Sequence, residues 1–445
     1  MRFKRRLEPT ALASLFSGLK PPIPRNFIRS ILFLGLVSLS GADEFDMLDA
    51  IDSTETAQDF KEEKSFVNAR LKLSYQYNEE SDSTKKFFLN LNKRGTHYQV
   101  DMRVIGDEDE VRLNLKELYF KGEISPTNIM EVGRLNVKEG VARGFNPSDF
   151  FKGSTSLTLS SDPKDIKDNR LGSVMMQNTI FWNKFTFKGI YSPKISVDED
   201  SFWGSSKKYG LQLDKTNFQT RKSLYLGYSG FKDVSASMIL HQNNELEEAS
   251  FGLNLSYVKE NWIFYMESSF KKAKNQITKT IESFNLSPTV QNTFGSSKKN
   301  IQKAVVGFNY TYDNISTNFE YIFNSSGLNK SGWEKWFELA KNSPQTAGQL
   351  GAIRGDISRK SDTMSHSTLF MFSRMTDIYT NLDASLLLWI NPYDASTLSQ
   401  VGLDYTIKDN FQTGIYVRNY QGGNDTQYGS TLDSYQILIE GEYFF

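Results

Sequence analysis

Thiol and imidazole chemistry is nearly absent from this chain. Its 445 residues include no cysteine and three histidines, His97, His241 and His366, set far apart. Without thiols there are no disulfides, thiolate metal sites or cysteine nucleophiles. Three scattered imidazoles give neither a histidine-ligated metal centre nor a Ser-His-Asp triad its parts. His241, the best placed, has no recognisable serine motif beside it. No nucleotide-binding glycine loop or metal-ligand spacing occurs. The sequence therefore points away from an enzyme, with no cofactor and no metal expected.

What the chain has in abundance is charge, 52 Lys+Arg against 52 Asp+Glu, much of it standing at every second position between apolar residues. In the N-terminal half these positions hold Arg70, Lys72, Arg103, Arg112, Lys116, Arg134 and Lys188, with Asp101 as the exception. In the C-terminal half they hold Glu267, Glu320, Asp383, Asp404, Glu440 and Glu442, opposed by Lys303 and Arg418. Lining one water-filled pore, the two sets would form a basic arc facing an acidic arc. Their transverse field would orient polar solutes in passage. The alternative is that the charges pair with each other and simply keep the interior wet.

The elements that must position these residues are strands. From Val67 the apolar set Val67, Ala69, Leu71, Leu73, Tyr75 and Tyr77 alternates with Asn68, Arg70, Lys72, Ser74 and Gln76. Successive strand side chains point to opposite faces, so one face is apolar and the other polar. The pattern returns at Tyr98–Val104, Phe251–Tyr257, Ala304–Tyr310 and Val401–Ile407. Apolar faces often end in rings, among them Tyr257, Trp262, Phe270, Tyr310, Tyr312, Tyr321 and Trp389. Rings collected near strand ends suit the two interfaces of a membrane, and strands of about 9–11 residues suit its thickness. Hydrophobic residues make up only 38% of the chain while aromatics reach 13%, the balance expected when apolar side chains are needed at alternate positions only.

Connections alternate in length. Lys259–Asn261, Tyr312–Asn314, Thr376–Ile378 and Lys408–Asn410 read as short turns; Lys272–Lys299, Asn324–Asp362 and Gln421–Asp433 read as long loops, with Asn391–Thr397 intermediate. The parity fails between Tyr191 and Ala249, where one segment is misassigned. The fold class this predicts is all-β: a transmembrane antiparallel up-and-down β-barrel of roughly 16–18 strands, with short periplasmic turns and long extracellular loops. Within the longest loop, Trp333, Trp336, Phe337 and Ala340 have helical spacing, which predicts a short amphipathic helix over Gly332–Lys341.

The N-terminus reads as an export signal. Arg25 and Arg29 precede the short apolar run Ile31–Val37, and Ser40-Gly41-Ala42 supplies small residues for cleavage after Ala42. Segment 1–42 carries seven of the basic residues and one acidic residue, so its removal leaves a net charge of −6, with no general attraction for nucleic acid. The expected organisation is a signal peptide over 1–42, an acidic leader over 43–65 and an outer-membrane β-barrel over 66–445.

Two stretches carry a resemblance. Tyr435, Ile437, Ile439, Gly441, Tyr443 and Phe445 share one face of a last strand. This ending resembles the C-terminal signal of bacterial outer-membrane barrels, read by the barrel-assembly machinery through Tyr443 and Phe445. Gly133-Arg134-Leu135 is followed by Asn146-Pro147-Ser148-Asp149-Phe150-Phe151 and later by Asp168-Asn169-Arg170-Leu171-Gly172. Over about Leu113–Pro193 this resembles a porin-like group of proteobacterial outer-membrane barrels. The resemblance implies a barrel of transport type in the bacterial outer membrane.

Physically, Asn146-Pro147 starts a turn in which Ser148 or Asp149 accepts backbone hydrogen bonds, and Arg170 is placed to pair with Asp149 or Asp168. A folded loop that narrows the channel and a plain external turn are both open for this motif.

The leading function is passive diffusion of small hydrophilic solutes. The alternatives are a barrel moving hydrophobic or polysaccharide cargo, with Phe150, Phe151, Trp333 and Trp336 as contacts, and a surface receptor or adhesin using its long loops. Expected partners are outer-membrane lipid and lipopolysaccharide, the barrel-assembly machinery and small solutes, with a homotrimer open as the assembly.

Overall fold

A computed structural model describes residues 66–152, 170–244, 248–360 and 362–445. The expected signal peptide and leader, 1–65, lie outside the described residues, as does Asp168.

Eighteen strands form one antiparallel sheet in sequence order, and the pairing of the last with the first closes it. They are β1 (Phe66–Asn78), β2 (Thr84–Gly95), β3 (Tyr98–Gly106), β4 (Val111–Ser125), β5 (Asn128–Leu135) and β6 (Ser173–Trp182). Next come β7 (Phe185–Ser192), β8 (Arg221–Phe231), β9 (Val234–Asn243), β10 (Glu248–Lys259), β11 (Trp262–Ala273) and β12 (Lys299–Tyr312). The wall is completed by β13 (Ile315–Asn324), β14 (Ser367–Tyr379), β15 (Leu382–Ile390), β16 (Thr397–Lys408), β17 (Phe411–Gln421) and β18 (Tyr435–Phe444). Closure leaves no unpaired strand edge.

All eight connections at one end of the barrel are two residues long, and every connection at the other end is longer. Tight two-residue hairpins need left-handed backbone, supplied by Asn183 (φ 52°), Asp233 (φ 60°) and Asp313 (φ 51°). The broken parity between Tyr191 and Ala249 resolves into β8 and β9. The turn expected at Thr376–Ile378 is corrected to 380–381: β14 continues through a register shift between Met375 and Tyr379, with Asp377 at φ 50°. Such a bulge carries a strand onward where its pattern alone reads as an end.

Alternation fixes the faces. On β11, Phe264 and Met266 are exposed while Tyr265 and Glu267 are buried; on β13, Tyr321 is exposed while Glu320 and Ile322 are buried. The outward face is an apolar band with rings at both ends. Trp182, Phe185, Phe187 and Tyr228 cluster at the short-turn end, as do Trp262, Phe264, Phe308 and Tyr310, while Tyr77 and Tyr435 meet at the long-loop end.

The long-loop end has a core of its own. Helices α2 (Gln276–Ser283) and α3 (Pro288–Phe294) from one loop pack with α4 (Lys330–Asn342) and α5 (Pro344–Arg359) from another; α1 (Leu213–Thr216) lies in the β7–β8 connection. Ile277, Ile281, Val290, Trp333, Trp336 and Ile353 sit in that core. The helix expected at Gly332–Lys341 therefore packs on neighbouring loops. Arg354 ties this cap to the β17–β18 loop through the Gln427 carbonyl at 2.6 Å.

Candidate functional site

The β5–β6 connection does not stay outside the barrel. Its first described stretch, residues 136–152, bonds and packs against inward-facing side chains on opposite sides of the wall. On one side Val137 and Phe151 pack with Leu135, Met175 and Ile190 from β5–β7. On the other Phe145 packs with Tyr265, Val305, Ile322, Phe370, Phe372 and Leu387 from β11–β15. A segment touching the inner surfaces of β5–β7 and β11–β15 together crosses the lumen.

Two wall carboxylates receive its backbone. Glu267 Oε1 accepts the N–H groups of Val141 and Ala142, the latter at 2.7 Å. Glu320 accepts from Arg143 at 2.5 Å, Gly144 at 3.0 Å and Phe145 at 3.3 Å, and from the Tyr265 hydroxyl at 2.8 Å. Both glutamates are fully buried.

The motif after this stretch is a turn stitched by Asn146. Its Oδ1 accepts from the N–H of Ser148 at 3.0 Å and of Asp149 at 2.9 Å, and from the Ser148 hydroxyl at 3.0 Å. The acceptor is thus Asn146 more than Ser148 or Asp149, although Asp149 takes the Phe151 N–H at 3.2 Å. Pro147 is buried within the turn. Arg170 forks onto both oxygens of Asp149 and reaches the Val137 carbonyl at 3.2 Å, closing the loop base. Phe150 stacks on His241 at 4.9 Å and Phe151 meets the same ring edge-on at 5.4 Å.

The expected arcs look different once partners are visible. Lys72 bridges Glu440 at 2.9 Å and Arg70 bridges Glu442 at 3.4 Å, where β1 meets β18. Lys116 holds Asp101 at 2.6 Å, Lys188 holds Glu139 at 2.8 Å, and Arg112 pairs with Glu110. Arg103 lies fully buried with its guanidinium 4.6 Å from the Phe88 ring centre. Asp383 holds Arg374 at 2.6 Å, and Asp404 accepts from the Tyr416 hydroxyl at 2.5 Å.

Two corrections follow. Glu267 and Glu320 are not a wetted acidic surface, because the loop backbone covers them. Arg134 is not a lumen cation: after Gly133 (φ 143°) it ties the end of β5 to the carbonyls of Gly172 at 2.9 Å and Leu211 at 2.6 Å. Several charges expected on the two arcs are thus ion-paired to near neighbours.

One exposed cation of the crossing segment is one that sequence reasoning missed. Arg143, at the middle of the crossing segment, is exposed, with its guanidinium 4.3 Å from the Phe372 ring centre. Burial and the neighbouring Arg374 push its guanidinium below the usual value, against the pull of the Glu320 carboxylate. On the same segment Lys152 donates to the Asn146 carbonyl at 2.7 Å and lies 3.8 Å from the Phe145 ring centre. Burial pushes the Lys152 ammonium down to about 8, with Lys303 adding repulsion against the pull of Asp362. Asp362 holds Lys303 at 2.5 Å; burial works against its charge, yet Lys303 and Lys152 keep its carboxyl below the usual range. The flanking Gly140 and Gly144 were the available sequence signal for a tight backbone approach around Arg143.

One pair has the outline of a catalytic dyad. Ser223 Oγ lies 2.7 Å from His241 Nδ1, directly across β8 and β9. Both side chains are buried and Phe150 covers the ring, so the pair anchors the loop and leaves no room for an acyl substrate.

No family model matches the sequence, and no curated protein matches it. Among solved structures, Acinetobacter baumannii OccAB1 aligns with a TM-score of 0.52 at 9% identity, over 86% of this chain and 96% of that one. Pseudomonas aeruginosa OccK11 (OpdR) aligns at 0.49 and 9% identity, covering 86% and 96%. The outer membrane protein OprD from Pseudomonas aeruginosa aligns at 0.48 and 8% identity, covering 86% and 94%. At this identity the likeness to OccAB1 concerns the fold: a closed, up-and-down antiparallel barrel.

Proposed function

We propose that this protein is a diffusion channel of the bacterial outer membrane, passing small hydrophilic solutes through a lumen narrowed by the 136–152 segment. The observation that carries the reading is that segment, crossing a closed barrel and carrying the exposed Arg143. A wall that is apolar outside and polar inside separates hydrocarbon from water. The cation at the narrowing raises the local concentration of small anions over cations. The channel performs no chemistry of its own. In this reading lipid and lipopolysaccharide cover the outward band, and the barrel-assembly machinery inserts the chain.

Hydrophobic or polymeric cargo is less well supported by the same geometry, since Phe151, Trp333 and Trp336 are buried in protein cores and Phe150 is stacked on His241. Purified protein that migrates heat-modifiably on a gel and gives discrete conductance steps in planar bilayers supports the channel. Folded barrels that give no steps refute it.

A further inference from the structure

Residues 141 to 145 form no helix or strand, yet five consecutive backbone N–H groups along them all find acceptors, and every acceptor is a carboxylate oxygen of the wall. We propose that Glu267 and Glu320 are the latch that keeps the constriction in the lumen, and that it needs both oxygens of Glu320 but one of Glu267. The inference rests on the channel reading for its functional meaning, while the latch itself is a property of the fold.

Burial of a carboxylate is costly unless hydrogen bonds replace its water. The loop backbone supplies those bonds, so ordering the loop and burying the glutamates are one event. From the wall, the Tyr265 hydroxyl adds one bond to Glu320 at 2.8 Å. The cross-strand neighbours of Glu267 are Asn254 and Val305, and those of Glu320 are Gly307 and Phe370.

The glycines permit the approach. A Cβ on Gly140, whose φ is +86°, would stand 2.5 Å from the Glu267 oxygens. One on Gly144 would stand 2.6 Å from the Phe370 ring and 3.0 Å from Glu320 Oε2. Converging N–H groups of this kind make an anion-binding concavity, here occupied by the protein's own side chains.

The two carboxylates are used unequally. Glu320 Oε1 takes Arg143 N–H and the Tyr265 hydroxyl, and Oε2 takes Gly144 and Phe145. An amide nitrogen at either place would point hydrogens at donors. Glu267 uses Oε1 for both of its bonds, and its buried Oε2 has no hydrogen-bond partner. An amide nitrogen fits that idle position. The glutamine isosteres therefore separate the two: E267Q keeps the latch and E320Q opens it, whereas E267A and E320A both open it.

Tryptic cleavage at Arg143–Gly144 reads the latch directly, in barrels folded in detergent and checked by heat-modifiable migration, with bilayer conductance measured in parallel. Wild type and E267Q should resist. E320Q, E320A and E267A should be cut at least about tenfold faster, the scale set by losing a charge-assisted hydrogen bond from a local opening equilibrium. Their conductance should be larger and noisier. Should a wall variant fail to fold, G144A opens the latch from the loop side with the wall intact. Wild-type cleavage rates in folded E320A or G144A would overturn the latch, and identical behaviour of E267Q and E320Q would overturn its asymmetry. A wild-type barrel that never conducts would sink the channel reading while the cleavage rates still decide the latch.

Discussion

Where β18 meets β1, inward carboxylates meet cations: Glu440 holds Lys72 and Glu442 holds Arg70. On β11 and β13, inward carboxylates of the same type hold the backbone of a loop that begins five strands or more away along the chain. The difference lies in the register. β1 lays Lys72 directly beside Glu442 and one pleat from Glu440, whereas Glu320 has Gly307 and Phe370 as its neighbours. A buried carboxylate takes the donors its surroundings offer. At the seam these donors weld the wall. Across the lumen they pin a constriction.

Removing the loop has the largest expected effect. Replacing 138–152 with a short Gly-Ser linker should raise single-channel conductance several-fold, because the crossing segment is gone while all eighteen strands remain; an unchanged conductance would mean the segment narrows nothing. Next in size, K72M leaves Glu440 buried without its lysine. Loss of about 3–5 kcal/mol is the scale for breaking a buried pair, so unfolding in denaturant should come markedly earlier. Conductance per folded channel should barely move. The double exchange K72E/E440K should recover much of the loss, and failure to do so would show that the seam is not held by this pair.

W336A in the outer cap empties a core site shared by two long loops. It should cost about 3–5 kcal/mol of cap cohesion, seen as faster amide exchange in α4 and α5, with ion selectivity unaltered. The smallest effect is a pH step. With its folded value lowered to about 8, Lys152 is mostly charged at pH 7 and mostly neutral at pH 9. Anion preference should therefore decline over that window, and K152M should abolish the step.

These contrasts also mark what the sequence could convey. Strands were legible because a wall between hydrocarbon and water repeats every second residue, and because left-handed turn residues such as Asn183 and Asp313 punctuate it. The β7–β8 stretch hid its strands because the long connection 193–220 carries its own aromatics and the short α1, which blur the period. At β14 a bulge mimicked a turn.

For the site, alternation placed Glu267, Glu320, Lys72 and Glu440 on the inner face, but partners depend on register and on contacts 125 or more residues apart in sequence. Ser223 beside His241 was invisible for the same reason. Arg143 was missed because an irregular segment has no period to betray which way it faces. Of the charges expected to form opposed arcs, Lys72 and Glu440 instead meet each other across neighbouring strands.

In the channel reading Arg143, carried into the lumen by the crossing segment, sets the charge a solute meets. The reversal potential of single channels across a salt gradient, wild type against R143Q, tests it most directly. Wild type should give discrete steps and an anion-preferring potential, displaced toward cations in the variant. Folded barrels without steps, or the same potential in both proteins, would contradict it.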